Sequence, residues 1–260
     1  MQIPFVKYHG TGNDFILVDD RMNTFTYSTE LISQLCDRHF GIGADGLLIL
    51  RNCPEAAFEM LYFNSDGSHA TFCGNGGRCI VAFARDLGII EKQCVFKAPD
   101  GKHQAYINET TASLALVKLQ MQNAILYKSS EDHIFLNTGT YHTVVFVDDP
   151  DQVDVVKEGQ KIRNDAKYKP QGTNVNFACI HGDEMYVRTY EKGVENETLS
   201  CGTGVTASAI AASLRYGGTN WKIHTRGGDL KVSFDIENES YINVFLEGEA
   251  TRVFEGLFNL

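Results

Sequence analysis

Two cysteines in this chain each precede a glycine-rich turn and an apolar, helix-like segment. The first motif, CGNGGRC, begins at Cys73, and the second, CGTGVT, begins at Cys201. The free N–H groups and the dipole of a helix N-terminus stabilise anions. A thiol there tends to have a lowered pKa and thiolate character. Two such thiols in one molecule predict one acid and one base.

That pair predicts inversion of a stereocentre. A substrate carbon held between the sulfurs loses a proton to one and gains a proton from the other on its opposite face, so the pair titrates as a coupled unit. Backbone N–H groups in the two glycine turns are predicted to bind the α-carboxylate and its enolate-like form. They belong to Gly74, Asn75 and Gly76 in the first motif and to Gly202, Thr203 and Gly204 in the second.

The two motifs belong to an internal repeat. Cys201 follows Cys73 by 128 residues, and Tyr190 follows Tyr62 by the same interval. The segments 15–20 and 144–149 match at an offset of 129. This order predicts a duplicated domain rather than a solenoid, which needs more copies. We assign residues 1–114 with 250–260 to a first domain, and 115–249 to a second.

The elements that position the cysteines are predicted to be mainly strands, with few helices. Strand-like segments dominate, and helices are predicted over 30–39, over 153–165 and after each cysteine. The segment 205–214 has few charges, which predicts a helix buried nearly all round. The predicted fold is α+β, with two pseudo-symmetric domains. Each is a sheet or barrel around a central buried helix, and the active site lies in the cleft between them.

The composition restricts the class of protein. The 260 residues carry a net charge of −10, which disfavours nucleic acid and anionic membranes as partners. We find no signal peptide and no membrane-length apolar run. Seven cysteines without a C-x-x-C pair favour free thiols in a reducing cytoplasm. The histidines show no metal-ligand spacing, and the glycine turns lack the full dinucleotide pattern.

Five motifs together resemble the diaminopimelate epimerase family of cofactor-independent amino-acid racemases. Each is weak alone, but they occur in the family's order across nearly the whole chain. They are GTGNDF at 10–15, FNSDGS at 63–68, CGNGGRC at 73–79, GTNVNF at 172–177, and the segment from EKG at 191 to CGTG at 201–204.

The resemblance implies an enzyme that interconverts LL- and meso-diaminopimelate for lysine and peptidoglycan synthesis. It implies a cytoplasmic homodimer that uses no cofactor and no metal. Cys73 and Cys201 would be the two bases. The other implied roles fall into three groups. Asn13 and Asn75, with the amides of Gly202 and Thr203, would hold the reacting end of the substrate. Asn64, Asn174 and Lys192 would hold its distal end. His142 and Glu191 would lie near the thiols and influence their protonation, and Glu191 would also contact the substrate.

Three positions depart from the family pattern. Gly46 replaces a glutamine found in many members, Thr140 lies in a turn that usually reads Gly-Asn-Pro-His, and Lys192 replaces an arginine. A lysine offers a point charge instead of a bidentate fork. The departures at Thr140 and Lys192 motivate one alternative, a racemase of another amino acid with the same chemistry. Two further alternatives are a non-catalytic amino-acid-binding protein and a thiol–disulfide enzyme.

Overall fold

A computed structural model describes residues 2–129 and 133–259. The chain forms two compact units, one from residues 1–119 and 248–260 and the other from 120–247. The first boundary lies five residues later than predicted, because Leu114–Gln120 is a single strand that pairs with the strand before it. The second lies two residues earlier, next to Glu249, which pairs with Leu116 of that strand.

The first unit is a closed barrel of eight strands. Its first seven strands are β1 (Gln2–Gly10), β2 (Asn13–Asp19), β3 (Gly46–Arg51), β4 (Glu59–Asn64), β5 (Gln93–Ala98), β6 (Gly101–Thr110) and β7 (Leu114–Gln120). Consecutive strands are neighbours, and the end of the last strand of the chain, β16 (Ser240–Asn259), lies between β7 and β1. That closure confirms the prediction that the C-terminal segment returns to the first half.

Two helices accompany this barrel. The helix α1 (Thr29–Cys36) has Ser28 as its N-cap and ends three residues before the predicted His39. The helix α2 (Gly74–Asp86) packs against β1, β2 and β3 and is buried throughout residues 74–84. A barrel of alternating inward side chains needs such an apolar filling. The central helix predicted for the first half is therefore confirmed.

The second unit repeats this plan. Its strands before β16 are β8 (Ile125–Ser129), β9 (Ile134–Asn137), β10 (Tyr141–Phe146), β11 (Asn174–His181), β12 (Glu184–Glu191), β13 (Asn196–Thr198), β14 (Asn220–Thr225) and β15 (Gly228–Glu237). The sheet order is β8-β9-β10-β11-β12-β14-β15-β16, with β13 paired beside β12. A bridge between Ala124 and Tyr241 joins the start of β8 to β16.

The helices of the second unit also lie where the sequence predicted them. The helix α3 (Val155–Arg163) lies on β11 and β12, within the predicted segment 153–165. The helix α4 (Gly202–Tyr216) packs against the strands from β9 to β12 and against β14 and β15, and it is buried at nearly every position from 202 to 213. Its small side chains, mostly Ala and Ser, allow strands to approach on every side.

The order of elements confirms the duplication. The helices α1 and α3 begin 126 residues apart, and the helices α2 and α4 begin 128 apart. Parallel pairing also recurs at equivalent places, β2 with β3 and β10 with β11. The glycines before β3 and β11, Gly43 and Gly172, both have positive φ, at 81° and 69°. Within the described residues no helix is both long and apolar enough to cross a membrane.

Candidate active site

Cys73 is the N-cap residue of α2. Its backbone is extended, with φ −135° and ψ 123°, and the helix begins at the next residue. Gly77 leaves room for its neighbours in this first turn, since a Cβ there would lie 2.8 Å from Leu119 and 2.9 Å from Phe72. The sulfur therefore belongs to a residue at the positive end of a buried helix, as the motif predicts.

Arg78 lies beneath this turn and was not predicted as a site residue. It is fully buried, and its Nη2 donates to Asn75 Oδ1 at 2.9 Å and to Thr11 Oγ1 at 3.2 Å. Longer contacts of 3.4 Å reach the backbone carbonyls of Gly74 and Glu249. The one sequence feature that could have indicated its role is the presence of an arginine in a helix that is otherwise predicted to be buried.

Electrostatics connect Arg78 to the first thiol. Burial lowers the pKa of the Arg78 guanidinium, and negative charge on the thiols of Cys79 and Cys73 opposes that shift. Arginine remains protonated in proteins. A buried positive charge and a helix N-terminus are therefore both placed to stabilise negative charge at the start of α2.

Three asparagines predicted as substrate ligands belong to the first unit. Asn75 is 1% exposed, and its Oδ1 is already held by Arg78. Asn13 begins β2, and its Oδ1 is a buried atom without a hydrogen-bond partner in the described part of the chain. Such an orphaned acceptor suits a ligand donor such as an ammonium group. Asn64 instead braces its own turn, because its Nδ2 donates to Ser68 Oγ at 3.0 Å.

Gly46 has a steric role. It begins β3 opposite Asn64, and a Cβ there would lie 2.6 Å from the carbonyl oxygen of Phe63 and 2.9 Å from the ring of Tyr62. A longer side chain would therefore force β3 and β4 apart. In this chain the departure at position 46 has a packing cause.

Cys201 repeats the geometry of Cys73 in the second unit. It is the N-cap of α4, with φ −119° and ψ 111°, and is 7% exposed. Its Sγ lies 3.4 Å from Thr203 Oγ1. The carbonyl oxygen of Thr203 accepts from Thr138 Oγ1 at 2.9 Å, which ties the first turn of α4 to the turn after β9.

His142 reaches this group through Thr203. Its Nε2 lies 2.9 Å from Thr203 Oγ1, and its ring is completely buried on β10. Burial, together with the charge of Lys192, lowers the pKa of His142 to about 3. The ring is therefore neutral at physiological pH. A histidine near the thiols was predicted, and the structure joins it to Cys201 by way of the Thr203 hydroxyl.

The remaining predicted residues gather at the ends of β11 and β12. Asn174 donates from Nδ2 to the carbonyl of Tyr141 at 2.9 Å, and its Oδ1 accepts from the backbone N–H of Lys192 at 2.8 Å. The Lys192 ammonium donates to the carbonyl of Gln171 at 3.2 Å. Glu191 Oε2 accepts from Thr198 Oγ1 at 2.8 Å. Asn174 thus positions the segment that carries Lys192, and the contacts of these residues with substrate remain predictions.

Two further buried residues, Asn176 and Thr189, were absent from the predicted site. Asn176 is on β11, and its Nδ2 lies 3.1 Å from His142 Nδ1. Its Oδ1 accepts a hydrogen bond from Thr189 Oγ1 at 2.9 Å. Asn176 lies in the motif GTNVNF, but the sequence does not show which way its side chain points. Side chains alternate between the two faces of a strand, so its position in the interior follows only once the strand and its buried face are known.

Comparison with known proteins agrees with this architecture. The family model described as diaminopimelate epimerase matches residues 5–126 and 134–253. The diaminopimelate epimerase of Flavobacterium psychrophilum is 49% identical over 253 residues, covering 96% of this chain and 97% of the relative. That of Aquifex aeolicus is 40% identical over 274 residues, with 97% and 96% covered.

Solved structures share the fold at low identity. A PhzF-family phenazine biosynthesis protein from Bacillus anthracis has a TM-score of 0.77 at 14% identity, with both chains fully covered. A probable proline racemase from Agrobacterium radiobacter has a TM-score of 0.73 at 15% identity, covering 99% of this chain and 92% of that one. These likenesses concern the fold alone. The family match and the curated relatives together establish that this chain belongs to the diaminopimelate epimerase family.

Proposed function

We propose that this protein is an isomerase that interconverts LL- and meso-diaminopimelate with two cysteines as its acid and base. Family membership at up to 49% identity among the relatives compared carries the proposal. The placing of Cys73 and Cys201 at equivalent helix starts supports it. The reaction serves lysine and peptidoglycan precursor synthesis. The thiols must stay reduced, so we place the enzyme in the cytoplasm, where all seven free cysteines are suited to the redox conditions.

The proposed step transfers one proton in and one proton out. A thiolate at one cysteine takes the α-proton, and the electron pair of the broken C–H bond is delocalised into the α-carboxylate. The thiol of the other cysteine then gives its proton to the opposite face of the carbon. The backbone N–H groups of the first turns of α2 and α4 would stabilise the enolate-like charge. The product leaves with the two sulfurs in exchanged protonation states.

The roles of the other residues follow the same proposal. Asn13 and Asn75, with the amides of Gly202 and Thr203, would bind the reacting amino-acid end. The distal end would be bound by Asn64, Asn174 and Lys192, with Glu191 close by. A homodimer is the proposed assembly, which size-exclusion chromatography with light scattering would measure.

Proton exchange in D₂O tests the function directly. Reduced protein without added cofactor is mixed with LL-diaminopimelate, and α-deuterium and stereochemistry are measured. We expect deuterium at one centre together with formation of the meso isomer. Cys73→Ser and Cys201→Ser should each lower the rate by at least about a hundredfold, since a hydroxyl is a much weaker base. Cys36→Ser, at a buried thiol on α1, is the matched control. No exchange in wild-type reduced protein would contradict the proposal.

A racemase of another amino acid is the second candidate, because Lys192 stands where the family pattern has an arginine. The same experiment with a panel of single-centre amino acids separates the two. Exchange with one of those and not with diaminopimelate would keep the two-cysteine chemistry and change the substrate. Binding without exchange would favour an amino-acid-binding protein.

A further inference from the structure

A continuous row of buried polar side chains leads to Cys201. Its members, in order, are Thr189 on β12, Asn176 on β11, His142 on β10, and Thr203 on α4. The first three are at most 3% exposed. Buried polar groups of this kind are costly unless every hydrogen bond is made, so the direction of each bond is constrained.

The orientation of the Asn176 carboxamide fixes the first direction. Its Nδ2 faces both His142 Nδ1, at 3.1 Å, and the carbonyl oxygen of Thr143, at 3.4 Å. A carbonyl only accepts, so the group that faces it must be the NH₂. The opposite side, Oδ1, accepts from Thr189 Oγ1 at 2.9 Å. A flipped amide would set its oxygen against the Thr143 carbonyl.

The remaining directions follow from that amide. An NH₂ that donates to His142 Nδ1 requires this nitrogen to be unprotonated. The neutral ring must then carry its hydrogen on Nε2, which donates to Thr203 Oγ1 at 2.9 Å. The Thr203 hydroxyl, having accepted this bond, has its own hydrogen available for Cys201 Sγ at 3.4 Å.

Gly204 makes room for this arrangement. A Cβ at this position would lie 2.4 Å from Asn176 Oδ1 and 3.3 Å from Cys201 Sγ. The absence of a side chain lets β11 bring Asn176 against the first turn of α4. Gly204 therefore has a packing reason that also serves the row of hydrogen bonds.

We propose that Asn176 is a positioning residue. Its carboxamide, held by Thr189, fixes His142 in the Nε2–H tautomer, so that the Thr203 hydroxyl donates to Cys201 Sγ and stabilises the thiolate. Asn176 touches neither thiol nor substrate in this inference and acts through the ring. The inference rests on the proposed function for the use of Cys201 in catalysis, but the tautomer itself does not.

Nitrogen-15 NMR of the intact protein labelled at histidine measures the tautomer. We expect His142 to show an unprotonated Nδ1 and a protonated Nε2 in the wild type, with His142→Gln used to assign the signals. In Asn176→Asp, a carboxylate faces Nδ1, and this nitrogen should gain a proton. A protonated Nδ1 in the wild type, or an unprotonated one in Asn176→Asp, would overturn the inference.

Kinetics of a matched pair at position 203 test the last bond. Thr203→Val removes the hydroxyl at constant shape and should lower kcat roughly tenfold or more, the size expected for a hydrogen bond to a charged group, with KM nearly unchanged. Thr203→Ser keeps the hydroxyl, and its kcat should exceed that of Thr203→Val by several-fold. Ser208→Ala, which removes a buried hydroxyl bonded to Gly204 on the same helix, is the control. Wild-type kcat in Thr203→Val would contradict the inference.

The two failures are distinguishable. If the wild-type protein exchanges no α-proton, the proposed function fails, while the His142 tautomer can still be read by NMR. If the protein epimerises diaminopimelate but His142 carries its proton on Nδ1, the function stands and the positioning role of Asn176 falls.

Discussion

At the scale of single residues, position relative to a helix N-terminus separates the cysteines by expected reactivity. Burial raises the pKa of Cys36 and of Cys94 to about 12. Cys73 and Cys201 instead cap helices, where the thiolate is favoured. Cysteine chemistry in this chain is therefore decided by position in the fold and not by the residue type.

Alkylation with iodoacetamide should report this difference. At pH 7.5 we expect Cys73 and Cys201 to react at least about tenfold faster than Cys36 and Cys94, because only the thiolate is nucleophilic. Raising the pH to 9 leaves Cys36 and Cys94 mostly protonated, since that is still well below their pKa. Peptide mapping by mass spectrometry measures the rates. Equal labelling of Cys36 and Cys201 in folded protein would contradict the assignment.

Lys192 tests how the proposed substrate is bound. Lys192→Ala should raise KM for diaminopimelate about tenfold and change kcat much less, because a charge far from the reacting carbon contributes equally to ground and transition states. Lys192→Arg should give a KM equal to or lower than that of the wild type, since a guanidinium binds a carboxylate through two hydrogen bonds. Lys157→Ala, at an exposed position on α3, serves as the control. An unchanged KM in Lys192→Ala would remove the residue from the site.

At the scale of elements, α2 and α4 are equivalent in place but differ in how they support their cysteines. The helix α2 contains the buried charge of Arg78, bonded to Thr11 and to Asn75. The helix α4 has small side chains and depends on a neutral hydrogen-bonded row from the strands. The duplication therefore conserves the position of the thiol, while its surroundings differ between the halves.

Arg78→Met should lower the free energy of unfolding by about 3 kcal/mol. The substitution keeps much of the apolar volume but leaves buried acceptors on Asn75 and Thr11 short of a donor. Arg85→Met, on the same helix but paired with its exposed neighbour Asp86, should cost about 1 kcal/mol or less. Urea unfolding followed by circular dichroism measures both. Equal stability of the two variants would contradict the structural importance of Arg78.

At the scale of the whole molecule, the chain leaves the first unit and returns to it. The strand β16 pairs residues 251–259 with β1 and residues 249–251 with β7, which closes the first barrel. Closure removes the exposed strand edges on which open sheets aggregate. The last thirteen residues therefore belong to the folding of the first unit.

Deletion of residues 248–260 should prevent the first unit from folding, because β1 and β7 would each lose a partner. We expect aggregation or a strongly lowered Tm. Truncation after Gly256 is the matched control, since it removes only the pairing of residues 2–4. Soluble yield and thermal unfolding measure the effect. A long truncation with wild-type Tm would contradict the role of the strand.

Local signals in the sequence were enough to locate both cysteines, the helices after them and the duplication. Each depends on neighbours along the chain: a glycine turn, an apolar run, or a repeated interval. The tertiary structure decided what surrounds each thiol. His142 and Asn176 are 34 residues apart and meet only because β10 and β11 pair in parallel.

The same reason explains Arg78. Nothing in its local sequence separates a buried guanidinium from an exposed one, because burial depends on strands that close around the helix. Hydrogen-bond direction is likewise a property of several side chains at once, and strand pairing from distant parts of the chain brings them together. The sequence by itself therefore determined which residues begin the two helices, and the fold decided which charges and hydrogen bonds act on their sulfurs.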